Sequence, residues 1–159
     1  MNFQVMVDSI PQLLSGVVMT LKLVAVSSLL GFVLALLVTW ARLSRNPVAK
    51  SAAYGYVFFL RGTPLLIQLF LIYYGLSQFP EIRSSLLWPY LREPFFCALI
   101  AFSLNTSAYV SEVMRGAVAA IPIGQIEAAK AVGMSRFTRF TRIIVPQAVQ
   151  AGLPAYSNE

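Results

Sequence analysis

The chain has 159 residues, 58% of them hydrophobic and only 11% charged, with a mean hydropathy of +0.72. So low a charged fraction, against roughly 25% in soluble domains, excludes an ordinary soluble protein and leaves room for three membrane spans of about 20 residues each. The net charge of +6 comes without histidine and with one cysteine, Cys97, which rules out an intrachain disulfide and argues against a zinc site. Nucleic acid is the weaker reading of the charge, because the basic residues flank apolar stretches instead of forming one solvated patch.

Residues 1–13 carry Asp8 and no basic n-region, so they read as a retained extracytoplasmic segment and not as a cleaved leader. A membrane domain is expected over 14–159. Its first span runs from about Leu14 to Trp40 and ends on an interfacial tryptophan; Lys22, near its start, can snorkel to the headgroups. A turn at Asn46-Pro47 follows among Arg42, Arg45 and Lys50. The apolar region Ser51 to Gln78 is split by Arg61-Gly62-Thr63-Pro64. Its aromatic first part is expected to be an interfacial helix, and its second, Pro64 to Leu76, a span with Pro64 in the first helical turn.

A mixed-charge connection from Gln78 to Pro94 leads to a third span, about Phe95 to Met114, which holds Asn105, Thr106, Ser107, Tyr109 and Glu112. Basic residues gather on the side of Arg42 to Lys50 and of Arg136 to Arg142, and that side is expected to be cytoplasmic with the N-terminus outside. On the cytoplasmic side, Pro122 and the run IGQIEAAKAV predict a short helix ended by Gly133 in a left-handed cap. Ala128, Ala129 and Ala131 expose little side chain, so another protein can approach this helix closely. Ser135 then caps a helix with Arg136, Arg139 and Arg142 on one stripe, suited to anionic headgroups, and Pro146 marks the approach to a fourth span.

Glu127-Ala128-Ala129, three residues, Gly133, nine residues, Ile143, and then Pro146 three further on resemble the EAA signature of ABC-importer permeases, with Val145 where the pattern has leucine. Arg61-Gly62-Thr63-Pro64-Leu65-Leu66 with Gln68, and Asn105, Ala108-Tyr109, Glu112 and Arg115-Gly116, resemble the polar amino-acid branch of type I importers. The stretches LIYYGLSQFP and EPFFCALIAFSLN are most similar to arginine-importer permease subunits.

The resemblance implies an all-α, polytopic fold of the type I importer class, here incomplete: three spans, a coupling helix and the start of a fourth span where the family has five. It implies placement in the bacterial inner membrane and partnership with ABC ATPase subunits, a second permease subunit, an extracytoplasmic amino-acid-binding protein and membrane lipid. Glu127, Ala128, Ala129 and Gly133 are then the ATPase-coupling residues.

Intramembrane polar residues usually face the bundle or an aqueous cavity. Asn105, Thr106, Tyr109 and Gln68 are therefore candidates for a substrate path, with interhelical hydrogen bonding the alternative. Glu112 can pair with Arg115 at i,i+3. Arg61, Gly62, Thr63 and Pro64 are either a helix-start device or a hinge. No histidine, paired carboxylates or nucleophile elbow assembles catalytic machinery, and there is no phosphate-binding G-x-x-x-x-G-K-[ST] loop, so no cofactor is expected and ATP is hydrolysed by a separate subunit. A non-transporting membrane scaffold, or a permease for glutamine or histidine, are the competing readings.

Overall fold

A computed structural model describes residues 3–158, with side chains from Ser9 onward; Met1, Asn2 and Glu159 lie outside the described residues, as does the side chain of Asp8. Helix α1 (Phe3–Leu43) continues without a break through Pro11 and across residue 14. Helix α2 (Pro47–Gly62) is followed by α3 (Leu65–Phe70), which runs on as a π turn (Leu71–Gly75) and a 3-10 turn (Leu76–Gln78). The connection expected between Gln78 and Pro94 contains two one-turn helices, α4 (Pro80–Arg83) and α5 (Trp88–Leu91). Helix α6 (Pro94–Ala119) leads through three residues to α7 (Ile123–Ala131). Helix α8 (Arg136–Arg139), a π turn (Phe140–Ile144) and α9 (Val145–Tyr156) form one rod. All elements among the described residues are helical.

Two helices, α1 and α6, are long and apolar enough to cross a membrane alone. They run side by side in the same direction. Gly31 meets Thr106 and Ser103, Thr39 donates to the carbonyl of Ser111 at 3.4 Å, and Arg42 pairs with Glu112, so position rises together along both. Two parallel spans require the chain between them to return across the membrane, and the α2–α3 pair, bent by 105° at its break, is the segment that does so. Helix α3 with its two turns has 14 residues, short of the roughly 20 a crossing needs.

That geometry corrects the interfacial reading of α2. Ala53, Val57 and Leu60 are buried, and Val57 and Leu60 form a core cluster with Ala108, in the middle of α6. The spacing of 53, 57 and 60 is one helical face, so α2 climbs into the bundle and shares the crossing with α3.

The α1–α6 contact is a seam of small residues. Ser27, Gly31, Ala35 and Thr39, every fourth residue of α1, are buried, and the seam meets Ser103, Thr106 and Ser111 on α6. A Cβ at Gly31 would stand 2.8 Å from the Thr106 Cβ and 3.1 Å from the Ser103 carbonyl oxygen, closer than packed atoms tolerate. Small residues let membrane helices approach until dispersion contacts hold them, since lipid offers no hydrophobic drive for helix association. Cys97 is packing filler: it is fully buried, with its thiol donating to the carbonyl of Leu91 at 3.0 Å.

Pro146 ends nothing. A proline's ring clashes with the carbonyl four residues back and it has no N–H to donate. The π turn over Phe140–Ile144, immediately before it, takes up that misfit, and the helix continues to Tyr156.

Candidate functional site

The break between α2 and α3 is built by Pro64. Without an N–H, Pro64 leaves the carbonyl of Leu60 with no helical donor, and it drives Thr63 to an extended conformation, ψ 137°, as residues before proline prefer. Gln68 supplies the missing donor. Its amide nitrogen donates to the Leu60 carbonyl at 2.7 Å, the Thr63 carbonyl at 3.0 Å and the Thr63 hydroxyl at 2.9 Å. The Gln68 carbonyl oxygen accepts from Asn105 at 3.4 Å. One buried side chain therefore satisfies the broken backbone and ties the elbow to α6.

Pro64 caps α3 instead of occupying its first turn; its carbonyl accepts from the N–H groups of Ile67 and Gln68 at 3.0 and 3.2 Å. Helix α2 is held to α6 by Tyr56, whose hydroxyl lies 3.2 Å from the Leu104 carbonyl and 2.6 Å from the Ser107 hydroxyl.

The four residues expected along a path are thus placed differently. Gln68 is engaged at the elbow, and Thr106 lies against Gly31 in the α1 seam. Asn105 and Tyr109 are half-buried. The ring of Tyr109 carries the guanidinium of Arg61 5.1 Å from its centroid, a cation–π arrangement.

Glu112 pairs with Arg115, whose Nε donates to it at 3.1 Å, as the i,i+3 spacing predicts. Sequence reasoning missed its second partner, Arg42 of α1, which binds the other carboxylate oxygen from 70 residues away. This triad closes one side of an open cleft of about 970 Å³ between the end of α1, α2 and α6, lined among others by Lys50, Arg61, Tyr54 and Tyr109.

Helix α7 spans Ile123–Ala131, with Pro122 and Val132 as its caps, one residue shorter at each end than the sequence predicts. At its end Gly133 adopts φ +77°, with Gly133 N–H donating to Lys130 and Met134 N–H to Ala129, both at 3.0 Å. This paired pattern satisfies two terminal carbonyls and needs a left-handed residue, which glycine takes without steric cost. Ser135 caps α8 by accepting from the Thr138 N–H at 3.1 Å. Glu127 and Ala128 are exposed, but Ala129 is only 3% exposed. Of the alanines expected to let a partner approach, Ala128 is at the surface, whereas Ala129 is turned into this chain's own packing. Ile123, Val132 and Phe137 stand exposed around the helix. Among the described residues no group of three or more His, Cys, Asp or Glu can hold a metal ion.

Residues 38–157 match the family described as binding-protein-dependent transport system inner membrane components. The chain belongs to that family. Among these permease components it is 51% identical, over its whole length, to the nopaline transport system permease protein NocM of Agrobacterium fabrum. It is 54% identical, over 92% of its length, to the octopine transport system permease protein OccM of Rhizobium meliloti, and 41% identical, over 97%, to the arginine ABC transporter permease protein ArtM of Escherichia coli. The chain spans 66% of the nopaline relative, 60% of the octopine relative and 69% of the arginine relative. A crystal structure of an amino acid ABC transporter with histidines matches 99% of this chain and 70% of its own, with a TM-score of 0.82 at 35% identity. The fold is accordingly the all-α fold of type I importer permeases.

Proposed function

We propose that this chain is the larger part of a permease subunit of an ATP-driven importer in the bacterial inner membrane, carrying an amino acid of the arginine type. Its function rests on α7: a nine-residue helix, terminated sharply, bearing exposed Glu127, Ala128 and Lys130, and joined to α6 through only three residues. The middle one of those, Ile121, is buried. A push on α7 is therefore delivered to α6, the helix that touches α1, α2, α3 and α9. ATPase subunits that close on ATP would supply the push, α7 with Glu127, Ala128 and Gly133 would take it, and the spans would exchange outward- and inward-facing states. A second permease subunit and an extracytoplasmic binding protein complete the machine, and the basic ends of α1 and α6 face the cytoplasm.

Relatives named for nopaline, octopine and arginine support a cargo of that group, and Asn105 and Tyr109 are the polar side chains proposed to border its path. The break at Arg61 to Pro64 is proposed as a hinge, with Gln68 as its latch. The test is uptake by the full-length permease reconstituted with its ATPase and binding protein. Arginine, octopine or nopaline should be taken up in preference to glutamine and histidine, dependent on ATP. Preference for glutamine, histidine or an acidic amino acid would remove the cargo assignment, and ATP-independent or absent uptake would remove the importer reading.

A further inference from the structure

We infer that the cleft between the end of α1, α2 and α6 is a binding site for the phosphodiester headgroup of an anionic phospholipid. Four cations line it, Arg42, Lys50, Arg61 and Arg115, against one carboxylate, Glu112. Glu112 already has both oxygens engaged by Arg42 and Arg115. Lys50 and Arg61 are exposed, and neither has a carboxylate partner among the described ion pairs. They stand at opposite ends of α2, the first and last thirds of a 16-residue helix. A phosphodiester can accept hydrogen bonds from Lys50 and Arg61, the two lining cations without a carboxylate partner.

The wall between those cations selects a lipid over a free phosphate. Tyr54 and Phe58 line the cleft, are both exposed, and stack on one another with centroids 6.3 Å apart. Aromatic rings on an exposed helix face suit the glycerol and first acyl carbons of a lipid and offer nothing to an inorganic anion. Basic pockets between spans on the cytoplasmic side are where anionic headgroups bind, and this cleft lies at the basic ends of α1 and α6. The inference does not depend on which amino acid the importer carries.

The experiment is native mass spectrometry of the full-length permease, titrated with phosphatidylglycerol in neutral detergent, with phosphatidylcholine in parallel. One phosphatidylglycerol per chain should be retained at concentrations where phosphatidylcholine is lost. Lys50→Gln should weaken it about fivefold, the effect of one charge near a membrane surface, and Lys50→Gln with Arg61→Gln by more than that. Arg83→Gln with Arg92→Gln, a distant pair in the connection before α6 and outside the cleft lining, should leave the site intact. Equal retention of both lipids, equal loss in the distant variant, or displacement of the lipid by millimolar inorganic phosphate would each overturn the assignment.

Discussion

Replacing Gln68 with leucine keeps the volume of the side chain and removes every hydrogen bond it makes. In the structure its amide stands in for the N–H that Pro64 lacks, 2.7 Å from the Leu60 carbonyl, and Leu60 is buried. The Gln68→Leu chain would leave that carbonyl without a donor, and a buried acceptor left unpaired costs about 1–3 kcal/mol. The Thr63 hydroxyl still reaches the Phe59 carbonyl at 2.9 Å, so its loss adds little. For a chain of 150–250 residues each kcal/mol moves the melting temperature by about 2–4 °C; a loss of 2 kcal/mol thus predicts a fall of roughly 4–8 °C. Gln68→Glu should fall further, because carboxylate oxygens would then face three acceptors. The assay is thermal unfolding of the full-length permease in detergent, followed by tryptophan fluorescence. An unchanged melting temperature in Gln68→Leu, or a Gln68→Glu protein as stable as the parent, would refute the idea that this side chain completes the broken helix.

Gly31→Ala should destabilise by about 1–3 kcal/mol, the usual cost of overpacking, because its Cβ would sit 2.8 Å from that of Thr106; Thr106→Gly in the same chain should restore most of the loss, and a double-mutant cycle by thermal unfolding measures it. Ala129→Glu places an unpaired charge at a buried position and should lower the amount of permease in the membrane, whereas Ala128→Glu, on the exposed face, should leave that amount normal and abolish ATPase co-purification. Equal behaviour of the two alanine variants, by immunoblot and pull-down, would show that α7 has no docking face. With a membrane-impermeant thiol reagent on intact cells, Ser84→Cys should label and Ser44→Cys should not, and the reverse result would invert the proposed orientation.

What could be read in the sequence was what depends on neighbours along the chain. The Gly133 cap, the Ser135 cap and the Glu112–Arg115 pair all lie within a few residues, and all stand as their local chemistry requires. Arg42 could not be assigned to Glu112, since nothing in a string of letters says which span lies beside which. The α1 seam is different, because its signal was present: Ser27, Gly31, Ala35 and Thr39 recur every fourth residue. Apolar context hid it, as small residues change mean hydropathy little while deciding how closely two helices approach. The depth of α2 was legible in the same way from Ala53, Val57 and Leu60, but an aromatic-rich exposed face, with Tyr54, Phe58 and Phe59, imitates an interfacial helix. The role of Gln68 follows from counting donors: a proline at 64 orphans the carbonyl at 60, and a long amide four residues later can reach it.

The contacts around α6 are of two kinds, and their magnitudes divide the molecule. Toward α1, α6 packs through a seam so close that no Cβ fits at Gly31, and the seam ends in the Arg42–Glu112–Arg115 triad. Separating that pair would forfeit the close dispersion contacts along its length and take Arg42 from Glu112, leaving the carboxylate with Arg115 alone. Toward the elbow, α6 is joined by the packing of Val57 and Leu60 on Ala108 and by hydrogen bonds from Tyr56 to Leu104 and Ser107 and from Asn105 to Gln68. Hydrogen bonds between membrane helices average about 0.6 kcal/mol, so these few are worth one or two kcal/mol together. Bonds of that strength are exchanged at low cost, so what seats α2 on α6 is mainly the small apolar cluster of Val57, Leu60 and Ala108, whereas the α1–α6 contact is the most extensive between any two of the described helices. The durable frame is therefore α1 with α6, and the elbow at Pro64, proposed above as a hinge, has its own backbone satisfied by Gln68 whether or not Asn105 stays bonded.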